Sequence, residues 1–385
     1  MIKKIIIFLS YIFITFNTNL LSAENKKDEL KIGLLAPFSG EYKSLGNSLL
    51  LSIQLALDEI GNEKIKIIPR DSGSNDAKKL NQAIKEITNS GAKIVIGPTE
   101  SSNFDVLNTY KDTIFISLSN KQPEIKENVI SIGISLESQI SALEKFIKKQ
   151  KKTKTVIMYP ENEYSNFIDE KIKKIKLKNY KVFKYSADPK ILTGEIEKLT
   201  NYSQRKTNLQ SRIKILEKKE DEQSKRELIK LEQKYTLGSV NFDSVIIIDF
   251  GNSLKSVLGS LVFQDVNEDT VLFTTVNQWF DESIFYENSV KNLYYPSVNF
   301  KNFKKYNNDY LNNFKISPNE ITILAYDALG LIYYVWKKNG EIKSINDFFV
   351  KEKIIGKIGS FRFDNGKVYQ DLKIYKTENK KFIEF

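Results

Sequence analysis

The stretch from Leu30 to Asn120 constrains the fold most strongly, because it repeats one pattern of short apolar strand, loop and amphipathic helix. The pattern predicts strands at 31–36, 65–68, 94–97 and 114–116. Leu and Ile recur between the strands at intervals of three or four residues, which gives each predicted helix one apolar stripe. Apolar strands that alternate with helices indicate a parallel sheet covered on both faces. Ligands usually bind such sheets at the carboxyl ends of the strands.

The same pattern returns in the second part of the chain. A strand at 155–159 is followed by a helical segment, and further strands are predicted at 244–249 and 270–276. Two successive units with one pattern predict an α/β protein with two lobes of the same kind. The chain length of 385 residues is sufficient for two separate cores.

Residues 201–236 interrupt this pattern, because they are dense in Lys, Glu and Gln and contain almost no Gly or Pro. Apolar residues at helical spacing lie on both sides of the polar run 217–225, which predicts two antiparallel helices joined near Asp221. One continuous helix is the alternative. Such an insertion is either a solvated arm or a docking surface for another protein. Near the end of the chain, Asn365-Gly366 predicts a β-hairpin between 360–363 and 368–375.

The N-terminal segment 1–23 has the features of a secretory signal peptide. Lys3 and Lys4 precede an apolar segment at 5–16, which is shorter than the ~20 residues of a membrane span, and a small residue, Ala23, ends the segment. We therefore predict export to the periplasm and cleavage, with an uncleaved anchor as the alternative. Because the chain lacks Cys, lipid anchoring is not expected.

Composition excludes several kinds of site. The chain contains neither Cys nor His, so it has no disulfide, thiolate nucleophile, His-based triad or His/Cys zinc site, and we expect no metal and no cofactor. The formal net charge is +11, or +9 without Lys3 and Lys4, but Lys is spread over almost every helix. We therefore expect no nucleic-acid partner. No phosphate-binding loop or calcium-loop pattern is present.

Polar candidates for a ligand site follow two strands of the first lobe. Ser101 and Ser102 come after the third strand, where hydroxyls and backbone amides at a helix N-terminus can hold a carboxylate or another anion. The alternative is that they only cap their own helix. Ser119 and Asn120 follow the fourth strand, with the same ambiguity.

Candidates in the second lobe are mostly aromatic. Tyr164 and Phe250 follow strands, where an aromatic ring can cover a ligand, although ordinary packing explains each of them equally well. Asn277 follows the strand at 270–276 and is the third candidate in this lobe.

Several of these segments together resemble the type I periplasmic binding proteins of the leucine-binding kind. They are Leu34–Gly40 with Leu45-Gly46, Ile96–Pro98, Ile116-Ser117, Glu163-Tyr164 and Ala325–Ala328. The resemblance extends from about Lys31 to Tyr375. It implies two Rossmann-like lobes, joined by a hinge of three crossovers, that close around a cleft. The implied lobes are 24–138 with 298–358, and 139–297 with 359–385, the insertion 201–236 lying in the second.

Within this superfamily, other segments resemble the penicillin-binding-protein activator lipoproteins. They are Pro69–Gly73, Ser117–Asn120, the helical insertion before Asp243, and Asn277–Trp279. The activators bind and stimulate a peptidoglycan synthase in the periplasm, but their lipid-bearing Cys is missing here.

The transport-type members offer a second comparison. They hold the carboxylate of an amino acid with a Ser that Ser101 matches, and they place an acid where this chain has Asn277. Tyr164 matches an aromatic contact, although Ser165 replaces the usual Gly.

The sequence therefore predicts a non-enzymatic, exported regulator that contacts a peptidoglycan synthase, a penicillin-binding protein. The alternative is the solute receptor of an ABC importer, with an ABC permease as partner and an amino acid or similar small polar metabolite as ligand. A hydrolase that uses a carboxylate pair is the third class, but no Asp or Glu pair is singled out.

Overall fold

The computed structural model describes residues 29–102, 104–121, 128–286 and 290–385. The predicted signal segment 1–23 lies outside these residues. The strands, in chain order, are β1 (Leu30–Ala36), β2 (Ile65–Asp71), β3 (Ile94–Ile96), β4 (Ile114–Ser117), β5 (Val129–Ser131), β6 (Thr155–Pro160), β7 (Tyr180–Tyr185), β8 (Ser244–Ile247), β9 (Leu272–Thr275), β10 (Leu293–Ser297), β11 (Ile354–Gly356), β12 (Gly359–Asp364), β13 (Lys367–Asp371), β14 (Lys373–Glu378) and β15 (Lys381–Glu384).

The helices alternate with these strands over most of the chain. They are α1 (Lys43–Ile60), α2 (Ala77–Asn89), α3 (Phe104–Leu107), α4 (Leu136–Lys149), α5 (Ser165–Ile172), α6 (Pro189–Thr200), α7 (Tyr202–Leu216), α8 (Glu222–Glu232), α9 (Gly251–Phe263), α10 (Phe300–Phe314) and α11 (Thr322–Asn339), with short 3-10 helices at Glu282–Tyr286 and Ile345–Phe348. None of the helices within the described ranges is both long and apolar enough to cross a membrane.

The chain forms two compact units, which we call lobe 1 and lobe 2. Lobe 1 contains the described residues up to Gly133, together with Lys304–Ile358 and Arg362–Val368. Lobe 2 contains Ile134–Phe303, Gly359–Phe361 and Tyr369–Phe385. The transitions between the two units thus lie at 133/134, 303/304 and 358/359, and the short segment 362–368 groups with lobe 1.

Lobe 1 is built on a parallel sheet with the strand order β2-β1-β3-β4-β5. Its central strands are buried on both faces, and Ile32, Leu34 and Leu35 have no exposed surface. This explains why these strands are apolar without interruption, since helices must cover both faces of such a sheet.

Lobe 2 is built on a seven-stranded sheet with the order β15-β14-β10-β9-β8-β6-β7. The five strands β10, β9, β8, β6 and β7 run parallel to one another. β14 pairs antiparallel with β10, and β15 pairs antiparallel with β14. The fold is thus the predicted α/β fold with two sheets of Rossmann type.

The predicted hairpin at Asn365-Gly366 is present, with φ angles of 49° and 74° that fit a two-residue turn with two left-handed residues. It joins β12 to β13, which are neighbours in a three-stranded sheet of order β11-β12-β13. The prediction of one continuous second strand at 368–375 is wrong. The chain leaves this sheet at Asp371, and β14 pairs with β10 in the sheet of lobe 2. An alternating pattern cannot show which of two sheets a strand joins, because both partners bury alternate side chains.

The insertion 201–236 contains the two predicted helices, α7 and α8, which we call the helical arm. Asp221 is the N-cap of α8, and its side chain accepts a bond of 2.8 Å from the Ser224 N–H. The helices pack along an apolar seam of their own, formed by Leu209, Leu216 and Leu231. The alternative of one continuous helix is therefore wrong, because Asp221 starts a new helix after a turn.

The base of the helical arm is fixed to lobe 2 by one buried guanidinium group. Arg205 donates from Nε to the Thr200 carbonyl oxygen (3.0 Å), from Nη1 to Thr236 Oγ1 (2.9 Å) and from Nη2 to the Gln264 carbonyl oxygen (2.5 Å). Thr236 Oγ1 in turn donates to the Asp265 carboxylate. Arg205 therefore connects the start of the arm, its end and the segment after α9.

Candidate functional site

The loops after the lobe 1 strands carry the first set of candidates, and a crowded turn positions them. Gly97 has a φ angle of 99°, and a Cβ at this position would lie 2.1 Å from the Leu35 carbonyl oxygen. Its N–H donates to the Ile116 carbonyl oxygen (2.8 Å), and the Pro98 carbonyl oxygen accepts from the Leu118 N–H (3.1 Å). The loops after β3 and β4 are thereby bound to each other, and only Gly fits the turn between them.

Ser101 and Ser102 lie in the loop after β3. Ser101 is half-buried, and its carbonyl oxygen accepts from the Phe104 N–H (3.3 Å) at the start of α3. Ser102 is exposed, and its Oγ donates to Asn75 Oδ1 (3.3 Å) in the loop after β2. Because α3 has only four residues, little helix dipole is available to the expected anion site.

Ser119 and Asn120 lie in the adjacent loop after β4. Ser119 is buried, and its Oγ accepts from the Lys121 N–H (3.1 Å), which leaves the hydroxyl able to donate its own proton. Asn120 is exposed. The structure therefore brings the four candidates of lobe 1 to one edge of one sheet, as the strand pattern predicts.

Glu100, in the same loop as Ser101, is a polar group that the sequence reasoning missed. Its Oε2 atom is buried and has no hydrogen-bond partner within the described part of the chain. Burial raises the pKa of its carboxyl group, although a backbone hydrogen bond opposes this. A desolvated carboxylate with unused hydrogen-bonding capacity can hold a cationic or hydrogen-bond-donating group.

Asp71 anchors the loops beside this region. Its carboxylate accepts from the Phe38 N–H (2.9 Å), the Gly73 N–H (3.0 Å) and Ser39 Oγ (2.5 Å). Burial raises the pKa of Asp71, but these hydrogen bonds and Lys79 outweigh it and lower the pKa below its usual value. The carboxylate therefore stays charged and has a structural role.

In lobe 2, two exposed aromatic residues follow neighbouring parallel strands. Tyr164 after β6 is 52% exposed, and Phe250 after β8 is 59% exposed. The carboxyl ends of β6 and β8 lie side by side, because the two strands are paired in register. Large aromatic side chains that are exposed to solvent at this edge of the sheet are suited to contact a ligand or a protein partner.

Asn277 differs from the other candidates because its side chain is bound within lobe 2. It is 4% exposed, and its Oδ1 accepts from Ser297 Oγ (2.8 Å) and the Trp279 N–H (3.0 Å). Its own N–H donates to Gln139 Oε1 (2.8 Å). The Oδ1 atom thus already serves to fix the loop after β9.

A buried carboxylate that was not among the candidates supports Phe250. Asp249 accepts from Tyr185 Oη (2.5 Å), Ser253 Oγ (2.5 Å) and the Phe250 N–H (2.8 Å). Burial, followed by the charge of Asp249, raises the pKa of Tyr185 far above its ordinary value, so the phenol remains a donor. The strand pattern included Asp249 as a strand end, but only the fold shows that Tyr185 and Ser253 converge on it.

The described residues offer no group of three or more Asp and Glu side chains that could hold a metal ion. The candidates on lobe 1 are three hydroxyls, one carboxamide and one desolvated carboxylate, and those on lobe 2 are two exposed aromatic rings and the internally bonded Asn277. These groups can bind a polar ligand or a protein surface.

Residues 29–177 match a family model described as periplasmic binding protein. No curated protein sequence matches the chain. Among solved structures, the substrate-binding protein LivJ of the branched-chain amino acid transporter from Streptococcus pneumoniae, in complex with isoleucine, is similar. It has 17% sequence identity and a TM-score of 0.53, with 92% of this chain and 99% of that chain covered.

Two further structures are similar over comparable lengths. An ABC transporter substrate-binding protein from Desulfitobacterium hafniense in complex with Leu has 16% identity and a TM-score of 0.62, covering 93% of this chain and 100% of that chain. The C-domain of LpoA (YraM) from Haemophilus influenzae, described as a regulator of PBP1A, has 14% identity and a TM-score of 0.58, covering 92% and 99%. The predicted resemblance is confirmed, and at these identities the structures establish the fold alone.

Proposed function

We propose that this chain, a two-lobed protein of the type I periplasmic binding protein superfamily, is an exported regulator that contacts a peptidoglycan synthase through its helical arm. The fold and the family match support a binding-protein-like role. The choice of partner follows the similarity to LpoA, which is described as a regulator of PBP1A.

The observation that carries this proposal is the construction of the helical arm. Its base is clamped by Arg205, and its seam of Leu side chains holds the two helices together. Apolar side chains nevertheless remain outside the seam, because Ile215 is 51%, Ile229 58% and Tyr235 76% exposed. A rigid element that exposes aliphatic and aromatic side chains is suited to bind a protein surface.

The experiment is a pull-down of the purified synthase by the mature chain, compared with two variants. Ile215→Asp with Ile229→Asp places charges on the arm surface and should abolish capture. Ile355→Asp is the matched control, because Ile355 is 83% exposed in β11 of lobe 1. Equal capture by both variants would remove the arm from the interface.

A second candidate function is the solute receptor of an ABC importer, and Glu100 is the observation that favours it. A desolvated carboxylate oxygen, which has no partner among the described residues, lies in the loop that carries Ser101, so the loop offers an acceptor and a hydroxyl to an amino acid or similar polar metabolite. The structures with bound isoleucine and leucine support this reading.

A thermal-shift screen with amino acids, small peptides and cell-wall fragments distinguishes the two functions. A ligand at 100 times its Kd should stabilise the folded state by ~2.7 kcal/mol. For a receptor, Ser101→Ala should weaken binding by ~1–2 kcal/mol if Ser101 holds a charged group of the ligand. A panel without any shift would favour the regulator.

A further inference from the structure

A basic pocket lies within lobe 2, at the opposite edge of the sheet from Tyr164 and Phe250. It has a volume of ≈ 390 Å³. Its lining comes from the amino-terminal ends of β6 and β7, the end of α6, and the segment before β8: Lys154, Thr155, Val156, Asn179, Tyr180, Lys181, Lys198, Leu199, Asn201, Asn241 and Phe242. We call it the basal pocket.

The basal pocket combines a cationic rim with an apolar floor. Thr155, Val156 and Phe242 are buried at its base, and three Lys and three Asn residues around them are exposed. None of the lining residues is acidic. A volume of this size accommodates a small organic molecule rather than a single inorganic ion.

The charges of the rim are not neutralised inside the protein. Lys154, Lys181 and Lys198 form no ion pair with any residue that the structure describes. The carboxylate of Asp243, which follows Phe242 directly, instead accepts from the backbone N–H groups of Thr153 (2.8 Å) and Lys154 (2.9 Å). Three unpaired ammonium groups around one pocket therefore attract an anion.

The kind of cation narrows the chemistry of the anion. The pocket contains Lys and no Arg. Three separate ammonium groups suit a phosphate group, which carries up to two charges and three acceptor oxygens, better than a carboxylate, which carries one charge and two oxygens. The carboxamides of three Asn residues add donors for phosphate or hydroxyl oxygens. A phosphate ester with an organic part that covers the apolar floor fits these groups.

The position of the pocket relates it to the helical arm. Asn201 is both the residue after α6 and the residue before α7, and its side chain does not cap α7. Asn241 lies on the segment by which the chain returns from the arm. Both segments that connect the arm to lobe 2 thus line the basal pocket.

We propose that the basal pocket binds a phosphate-bearing small molecule and that the bound phosphate restrains the base of the helical arm. The lining of this site includes none of the arm residues Ile215, Ile229 and Tyr235 that are proposed to contact the synthase, so phosphate binding is tested independently of the proposed function. The phosphate comes from a soluble ester or from a lipid headgroup, which offer the same chemistry.

Binding is tested on the mature chain by calorimetric titration with glycerol 3-phosphate, inorganic pyrophosphate and, as a carboxylate control, citrate. Sedimentation with vesicles of phosphatidylglycerol or of phosphatidylcholine tests lipid headgroups. The test variant carries Lys→Gln at 154, 181 and 198. The control carries Lys→Gln at three other exposed positions of lobe 2 outside the helical arm, namely 149, 174 and 190. Both remove three positive charges, and the thermal midpoint of each unliganded variant verifies its fold.

We expect the test variant to lose at least tenfold in affinity for one of these phosphate probes and the control to change by less than twofold. Binding of the soluble phosphates identifies a soluble ester, and site-dependent binding of phosphatidylglycerol vesicles alone identifies a headgroup. An equal loss in both variants, citrate binding as tight as that of the phosphates, or no binding of any probe would overturn the proposal. Hydrogen exchange gives a second readout, since phosphate should slow amide exchange at 201–205, and unchanged exchange there would refute the restraint of the arm.

Discussion

Arg205→Ala tests the idea that one buried guanidinium group fixes the helical arm to lobe 2. Arg205 is 5% exposed and donates to the carbonyl oxygens of Thr200 and Gln264 and to the hydroxyl of Thr236. Truncation leaves these acceptors without their partner in a buried region. Each hydrogen bond to a charged group contributes ~1.5–3 kcal/mol, but water can enter the space, so we expect a loss of about 3 kcal/mol.

Arg212→Ala is the matched control, because it removes the same side chain from the same helix. Arg212 also forms two hydrogen bonds, to the Glu227 carboxylate (2.9 Å each), but both side chains are about two-fifths exposed. Solvent-exposed ion pairs contribute ~1 kcal/mol or less. Because both variants remove one positive charge from α7, a difference between their stabilities measures the effect of burial.

The assay is urea unfolding followed by circular dichroism, combined with hydrogen exchange. Exchange is needed because a two-lobed protein need not unfold in one step. We expect Arg205→Ala to lower the free energy of unfolding of lobe 2 and to speed exchange throughout the arm, while Arg212→Ala affects only the α7–α8 contact. Equal losses in the two variants would refute the clamp.

Three further predictions concern single residues. Burial raises the pKa of Asp327 from 3.8 to about 6, so the folded state binds this proton more tightly than the unfolded chain. The stability from this group, on the order of 3 kcal/mol, is present at low pH and is lost as the pH rises through about 6. As the pH rises towards 6, the free energy of unfolding of Asp327→Asn should rise relative to that of the native chain. If the two free energies change with pH in parallel, the raised pKa of Asp327 is contradicted. Gly97→Ala should lower the free energy of unfolding by about 3 kcal/mol, because the new Cβ would meet the Leu35 carbonyl oxygen. Gly194→Ala is the control in the interior of α6, where a Cβ would meet nothing within 4 Å, and it should raise the free energy of unfolding by ~0.5–1 kcal/mol. Urea unfolding measures both changes. Glu100→Gln should stabilise the chain by about 1 kcal/mol at neutral pH, since it removes a buried charge that no described residue pairs, and a loss of stability would show that the carboxylate has a partner.

The sequence predicted those features that depend on local periodicity. The parallel strands of both lobes, the two helices of the arm and the turn at Asn365-Gly366 all follow from spacing and residue type. The two helices are joined near Asp221 as expected: the first ends at Leu216, and the side chain of Asp221 satisfies an N–H group at the start of the second.

Features that depend on contacts between distant segments could not be predicted. Asp249 is positioned by Tyr185 from another strand, and the basal pocket unites residues that lie up to 88 positions apart, from Lys154 to Phe242. The path of the chain after Asp371 likewise depends on the pairing of β14 with β10, and no local sequence pattern identifies β10 as the partner strand. The arm was predicted, but the role of Arg205 at its base could not be distinguished from that of the other charged residues around it.

The direct test of the proposed regulation is the rate at which the purified synthase makes peptidoglycan, with and without the mature chain. We expect saturating protein to raise the rate, and Ile215→Asp with Ile229→Asp to abolish this effect while Ile355→Asp retains it. A rate that does not change at saturating protein would contradict the regulator, and a thermal shift with a free amino acid in the same preparation would then assign the chain to solute uptake.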